Sequence, residues 1–451
     1  MWARFGVLFF SFFGRELMKK IISLLLLIAM LSVCLTSCIV VKGTPGLSAY
    51  DIAVQNGFTG SQQEWLDSLK SPGVVEGETT INQTINQDIT KNEITIDGEA
   101  IDLSFATNAG LRSVVSVVCS FTSKSYSKPY TSAGSGVIYK INDDSSALVI
   151  TNYHVVYDNQ CSTENKISDQ IKLYLFGGET ENGAIDAKFV GGSMNYDIAI
   201  LEIENSDIFK EAVAGGSVCQ AKIATKKLYA GDTVIAIGNP EAHGISATTG
   251  VVSVDSEYIT MTGADELTSV EFRVIRTDTA INSGNSGGGL FNTRGELVGI
   301  VNAKIMSTDV ENIGYAIPVG VAGTVSDNII HYCLDTEIET VMRVTIGVSV
   351  QVVSAWSSYN AETGMLDKFE RSEVVLINEG SLADGVFELG DKILSITIGE
   401  KTVNITRQYE IIDTILSARA GDTIKTKVLT SAGEEKVREI TISDADLKAY
   451  K

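Results

Sequence analysis

Three residues have the types and surroundings of a nucleophile, its base and the acid that orients the base. His154 follows an apolar run in Thr151-Asn152-Tyr153-His154-Val155-Val156. Asp197 opens the apolar stretch Asp197-Ile198-Ala199-Ile200-Leu201, and Ser286 lies in Gly284-Asn285-Ser286-Gly287-Gly288-Gly289-Leu290. Hydrolysis of an amide by covalent catalysis needs all three roles. It also needs N–H donors aimed at the oxygen that becomes charged, and loss of one such donor costs about 10²–10³ in rate. Glycines beside Ser286 let the backbone turn its amides toward one point. The candidate oxyanion segment is therefore Gly284, Asn285 and Ser286, with the N–H groups of Gly284 and Ser286 aimed at the oxygen. The chain has only three histidines, so the choice of base is short. His243, in the Gly/Pro loop Asn239 to Gly244, reads as a surface residue. His331, after the helix-like run 325–330, reads as structural.

The elements that must position these side chains are short and β-rich. Runs at 114–121, 134–141, 146–153, 171–176, 197–203, 232–238, 274–279 and 296–303 alternate with Gly and polar turns. Evenly spaced short strands imply a barrel or a sandwich. Asp197 follows His154 by 43 residues and Ser286 follows Asp197 by 89. The order His, Asp, Ser is that of the chymotrypsin arrangement. The spacing suits His and Asp in a first barrel and Ser in a second.

Taken together, TNYHVV, DIAILEI, TDTAINSGNSGGGL and IGYAIPV resemble the HtrA (Deg) branch of trypsin-like proteases over residues 110–325. The resemblance implies a mostly β fold, with two six-stranded antiparallel β-barrels over residues 109–335. It implies a serine endopeptidase working through an acyl-enzyme, with His154 as base, Asp197 as its orienter and Ser286 as nucleophile. It calls for no cofactor. The stretch 277–282 would shape the wall before the serine, and Thr279, Ala280, Val301, Asn302 and Ala303 the substrate pocket. Val301 and Ala303 offer no acid to Lys or Arg, so a small or medium apolar residue is expected at the scissile position. Asp309 and Glu311 lie further on and leave a trypsin-like preference as the alternative. Gly289 stands where the family usually has Pro, and Asn282-Ser283 departs from its Asn-Pro. Neither change removes a reacting group.

Residues 340–451 resemble a PDZ domain of α+β type, on Gly380-Ser381-Leu382-Ala383 and Gly390-Asp391-Lys392-Ile393. Such a domain binds an extended peptide by strand addition. By analogy Ile346, Gly347 and Val348 form its carboxylate loop. The insert 353–370 is unlike a compact PDZ domain. The HtrA resemblance also implies a homotrimer with substrate-dependent activation, neither of which the sequence itself carries.

Residues 1–37 read as a targeting segment, with the signal itself starting at Met18. Lys19 and Lys20 precede the apolar stretch 21–35, which is short for a membrane span. Leu35-Thr36-Ser37-Cys38 resembles the lipobox of bacterial lipoproteins, which would make Cys38 the lipidated residue of an exported, membrane-anchored protein. Residues 38–73 hold capping signals for two short helices (45–73), similar to a module of bacterial surface and phage tail proteins, and 74–108 read as a polar linker or stalk. Lys and Arg number 35 against 56 Asp and Glu, a net charge of −21, which argues against nucleic acid as a partner. No Cys/His cluster has zinc-ligand spacing, so no metal is expected. Cys119, Cys161, Cys219 and Cys333 remain after the signal, either paired in an oxidising compartment or as buried thiols. The function expected is cleavage of misfolded or exported polypeptides outside the cytoplasm. The rival is a catalytically weak shell acting as a peptide-binding chaperone through the PDZ-like domain.

Overall fold

The computed structural model describes residues 59, 61, 94–96, 99–101, 103–123, 128–303, 313–336, 338 and 340–449. Cys38, the signal segment, all of the two-helix module but Thr59 and Ser61, and Asp309 and Glu311 lie outside the described residues. Residues from Asn92 onward form one compact unit.

The unit begins with the hairpin β1 (Ile94–Ile96) and β2 (Glu99–Ile101) and helix α1 (Leu103–Leu111). The linker expected to run to residue 108 thus ends earlier. Ala106 is fully buried, and a Cβ on Gly110 would stand 2.5 Å from Ile237, so α1 is pressed on the second barrel. This short helix buries Ala106 and Gly110 most deeply, with Leu103 and Leu111 at its two ends packed against the same core.

The first barrel is β3 (Val114–Phe121), β4 (Tyr130–Ile141), β5 (Ala147–Thr151), β6 (Gln170–Leu175), β7 (Ile185–Ser193) and β8 (Ile198–Ile203), closed in the order β3-β4-β5-β8-β7-β6. Val and Ile dominate these strands, as suits a pleated buried surface. Val115, Val117, Phe121, Val149 and Leu201 fill the interior. The single-turn helix α2 (Tyr153–Val156) follows β5, and α3 (Asp207–Ala214), capped by the Ser206 hydroxyl, follows β8.

The second barrel runs β13-β10-β11-β12-β15-β14 and closes through β13–β14, with the two-residue β9 (Lys222–Ile223) added in parallel on β14. Its strands are β10 (Thr233–Gly238), β11 (Ser246–Thr262), β12 (Ser269–Thr277), β13 (Gly289–Asn292), β14 (Glu296–Val301) and β15 (Gly314–Pro318). The fold is therefore mostly β, with two closed six-stranded antiparallel barrels, as expected. Register shifts between Val252 and Glu257 mark bulges in β11, beyond which β11 and β12 continue as a long hairpin. Helix α4 (Val319–Ile329) passes into a π-helical stretch, Ile330–Asp335, and packs on strands of both barrels.

The C-terminal part pairs β16 (Met342–Val344) with β23 (Leu447–Ala449). Its main sheet runs β17-β18-β19-β21-β22, built from β17 (Val348–Asn360), β18 (Met365–Ile377), β19 (Lys392–Ile398), β21 (Thr423–Leu429) and β22 (Glu435–Thr441), with β20 (Lys401–Asn404) on β19. Helix α5 (Tyr409–Ile415) contributes Ile411 to a core with Val374, Ile393, Ile396, Ile424 and Val428. The insert 353–370 is the outer half of the β17–β18 hairpin, and it meets the second barrel through charge. Lys227 and the Tyr229 hydroxyl both reach Asp367 at 3.0 Å, and Asp255 takes Lys368 at 2.9 Å and Arg407 at 3.0 Å. Arg273 pairs with Asp413 and lies 4.1 Å over the Tyr409 ring. Among the described residues no helix is long and apolar enough to cross a membrane.

Candidate active site

His154 rides on the one turn of α2, immediately past the buried end of β5. Its Nδ1 is 2.6 Å from Asp197 Oδ2 and its Nε2 is 2.9 Å from Ser286 Oγ. The His154 backbone N–H also donates to Asp197 Oδ1 at 2.9 Å. With the imidazole proton on the carboxylate side, the Nε2 lone pair faces the serine hydroxyl. Asp197 is nearly buried, and its φ of 51° lies in the left-handed region, uncommon for a residue with a Cβ. A backbone of this kind costs about 1–3 kcal/mol and persists only where its surroundings impose it. Asn152 supplies one such restraint, its Nδ2 donating to the Asp197 carbonyl at 2.8 Å. Asp197 therefore sits in the turn before β8 and is not its first strand residue.

Ser286 comes from the loop between β12 and β13. Gly284 there has φ +94°, and a Cβ on it would stand 2.2 Å from the Asn239 carbonyl oxygen. Gly287 has φ +84°, and its Cβ would meet the Ser135 carbonyl oxygen at 2.2 Å. Both positions demand glycine. The Ser283 carbonyl accepts from Glu241 N–H at 2.8 Å. A trans peptide sets its C=O and N–H on opposite sides, so the Gly284 N–H points away from Glu241. Gly284 and Ser286 both line the cleft. Between them the Asn285 N–H is turned into the loop, donating to Asn282 O at 3.0 Å.

Ser135, which the sequence reading passed over, braces this loop from the first barrel. Its N–H donates to Ser286 O at 2.8 Å and its hydroxyl to Gly284 O at 2.7 Å. The same hydroxyl accepts from Asn239 N–H at 2.8 Å. The local signal was a serine between two glycines, Gly134 and Gly136, at a strand where close approach is needed.

The expected substrate wall divides. Ala303 lines the cleft, and its N–H donates to Ser286 Oγ at 3.1 Å. Asn302 turns instead to the carboxylate, with Nδ2 donating to Asp197 Oδ2 at 2.7 Å. Val301 is fully buried in the barrel core, since its side chain points inward on β14. Thr279 is buried with its hydroxyl 2.7 Å from that of Thr277, and Ala280 is exposed with its carbonyl accepting from the Thr248 hydroxyl at 3.0 Å. Neither lines the cleft among the described residues. The cleft has a volume of about 370 Å³ and reaches from Ser286 over His154 to Tyr157, Asp158 and Asn159 and to Ala264 and Glu266 at the β11–β12 tip. His243 is exposed, 3.7 Å from Glu241, and His331 packs edge-on to Tyr332.

Away from the cleft, Ile346 is buried and Gly347 adopts φ +86°, their carbonyls taken by the N–H groups of Ala383 and Asn378. Val348 starts the edge strand β17, where the Gln408 carboxamide donates to Val350 O at 2.9 Å. Cys119, Cys161, Cys219 and Cys333 are all free thiols, and burial pushes Cys119 up to about 12.

Residues 134–300 match the family described as Trypsin-like peptidase domain. Serine protease Do-like HtrA of Bacillus subtilis (strain 168) is 33% identical over 347 residues, which span 76% of this chain and 70% of that protein. Periplasmic pH-dependent serine endoprotease DegQ of Escherichia coli (strain K12) is 34% identical over 209 residues, 46% of this chain and 39% of that protein. A solved structure described as HtrA-type protease AlgW with tripeptide is 25% identical, covers 77% of this chain and 97% of that chain, and has a TM-score of 0.49. With its two barrels, the trypsin-like peptidase match and the 33% identity to the Bacillus subtilis HtrA protease, the chain belongs to the HtrA family of trypsin-like serine proteases and is a serine endopeptidase.

Proposed function

We propose that Ser286, His154 and Asp197 form the catalytic triad of an endopeptidase that cleaves misfolded or exported polypeptides outside the cytoplasm. The observation that carries this is the unbroken chain of contacts from Asp197 Oδ2 through the imidazole to Ser286 Oγ, 2.6 Å and 2.9 Å. In this reading Ser286 Oγ attacks the scissile carbonyl carbon while its proton passes to His154 Nε2. Asp197 then stabilises the imidazolium and holds its orientation. The carbonyl oxygen, now negative, is received by the N–H groups of Gly284 and Ser286. His154 returns its proton to the leaving amine, and a water repeats the cycle against the acyl-enzyme.

The C-terminal part is proposed to be PDZ-like. The edge strand β17, the nearby helix α5 and the left-handed Gly347 support that reading. The Gln408 contact on Val350 O occupies one carbonyl that an added strand would use. The lipid anchor at Cys38 and a homotrimer belong to the same proposal and rest on the lipobox and on the family.

Casein digestion by the wild-type protein and by Ser286→Ala tests the triad, together with labelling by a fluorophosphonate. The expected result is digestion and a Ser286 adduct for the wild type and neither for the variant. Equal digestion by both would overturn the assignment.

A further inference from the structure

The rim of the cleft carries charge that the triad does not use. Among the described residues two carboxylates line the cleft, Asp158, in the turn after α2, and Glu266, at the tip of the β11–β12 hairpin. They come from different barrels, and the neighbouring segments touch across the cleft, Asn159 Nδ2 donating to Glu266 Oε2 at 3.3 Å and to Asp265 O at 3.4 Å. Gln160 N–H fixes Asp158 Oδ1 at 2.7 Å. Glu266 is held at φ +61°, a backbone that a residue with a Cβ adopts only under restraint. No Lys or Arg lines the cleft among the described residues. The nearby Lys166 is turned to the Cys161 carbonyl at 2.7 Å. Burial, reinforced by Asp265 and Asp158, raises the Tyr157 phenol, as expected where several carboxylates gather around one ring.

Among the described residues, Ser283, Gly284 and Ala303, which line the cleft beside Ser286, are uncharged, so the two carboxylates lie off Ser286. We infer that Asp158 and Glu266 select substrates carrying a Lys or Arg beside the scissile residue. This rests on the triad reading and adds a specificity to it. The ammonium or guanidinium of that neighbouring residue lies between the two barrels' carboxylates, while the scissile residue itself meets the uncharged wall.

The test uses the full chain and pairs of fluorogenic peptides that differ only by Lys or Gln at one position flanking the cleaved bond. At one flank, kcat/KM for the Lys peptide should exceed that for the Gln peptide by roughly fivefold to tenfold, the range of one or two partly exposed ion pairs. The preference should shrink as ionic strength rises. Asp158→Asn and Glu266→Gln should each reduce the Lys/Gln ratio by roughly threefold. Because the ratio is taken within one variant, a change in the folded fraction cancels. Asp158→Lys with Glu266→Lys should reverse the preference toward Glu peptides. Equal rates for Lys and Gln peptides at every flank, or a ratio untouched by the substitutions, would overturn the inference. If that occurs while fluorophosphonate still labels Ser286, the triad reading survives. No labelling and no cleavage would remove both.

Discussion

Asn302 Nδ2 donates to Asp197 Oδ2 at 2.7 Å, the carboxylate oxygen that His154 Nδ1 also meets, at 2.6 Å. Oδ1 of the same carboxylate accepts the His154 backbone N–H. The Asp197 carboxylate thus has three donors from the two barrels, and its position depends on their closing together. Asn302→Ala removes one charge-assisted bond in a buried setting, a loss of about 1.5–3 kcal/mol, so kcat should fall by roughly 10–100-fold with KM little changed. Steady-state kinetics on one peptide checks this; an unaltered kcat would assign Asn302 to packing alone. Asn302→Asp should be worse, since it sets a second carboxylate against the first.

Ser135→Ala leaves the Gly284 carbonyl and the Asn239 N–H without their shared hydroxyl. Ser135 is fully buried, so water cannot replace it. The expected loss is about 1–3 kcal/mol of stability, with a reduced kcat because the Ser286 loop loses its brace. Urea unfolding and kinetics on the same preparation report both. A variant with lowered stability and normal kcat would separate the brace from catalysis.

Gly284→Ala forces a Cβ toward the Asn239 carbonyl at a left-handed φ. The loop must shift, and with it the Gly284 N–H. A loss of about 10²–10³ in kcat is expected, as for removal of one oxyanion donor, while fluorophosphonate labelling slows in parallel. Normal labelling would mean that the N–H of Gly284 does not face the reacting oxygen.

Asp413 offers a pH test of the contact between the second barrel and the C-terminal part. Burial pushes its carboxyl up to about 6, against the opposing pull of Arg273. A carboxyl raised on folding binds more protons in the folded state, so its contribution is complete below its unfolded value near 4. It is lost as pH rises through about 6. Asp413→Asn should remove about 2 kcal/mol of stability change across that window. Unfolding by urea at a series of pH values, compared between the two proteins, measures it; parallel curves would contradict the shift.

Much of the barrel architecture was legible in the residues. Val114–Phe121 was read at its observed bounds, and the strands carrying Ile198–Ile203 and Glu296–Val301 were read to within a residue or two. Strands buried on one or both faces concentrate Val and Ile into short runs, and that density is local information. Helix α1 is not legible because it is only nine residues long and its most deeply buried positions, Ala106 and Gly110, are small residues that mark no apolar stripe.

His154, Asp197 and Ser286, the proposed triad, stand out by residue type and order, because the chemistry of acyl transfer restricts which side chains can serve. Their neighbours were not. Asn302 was read as pocket wall and Val301 beside it as pocket lining, yet strand alternation sends Val301 into the core and the end of β14 swings Asn302 to Asp197. Ser135 lies 151 residues before Ser286, and the contact exists only because the first barrel packs against the loop that carries Ser286. Side-chain identity is written along the chain; which of two faces it takes, and what lies opposite, follows from closure of the sheets and exists only in the folded molecule.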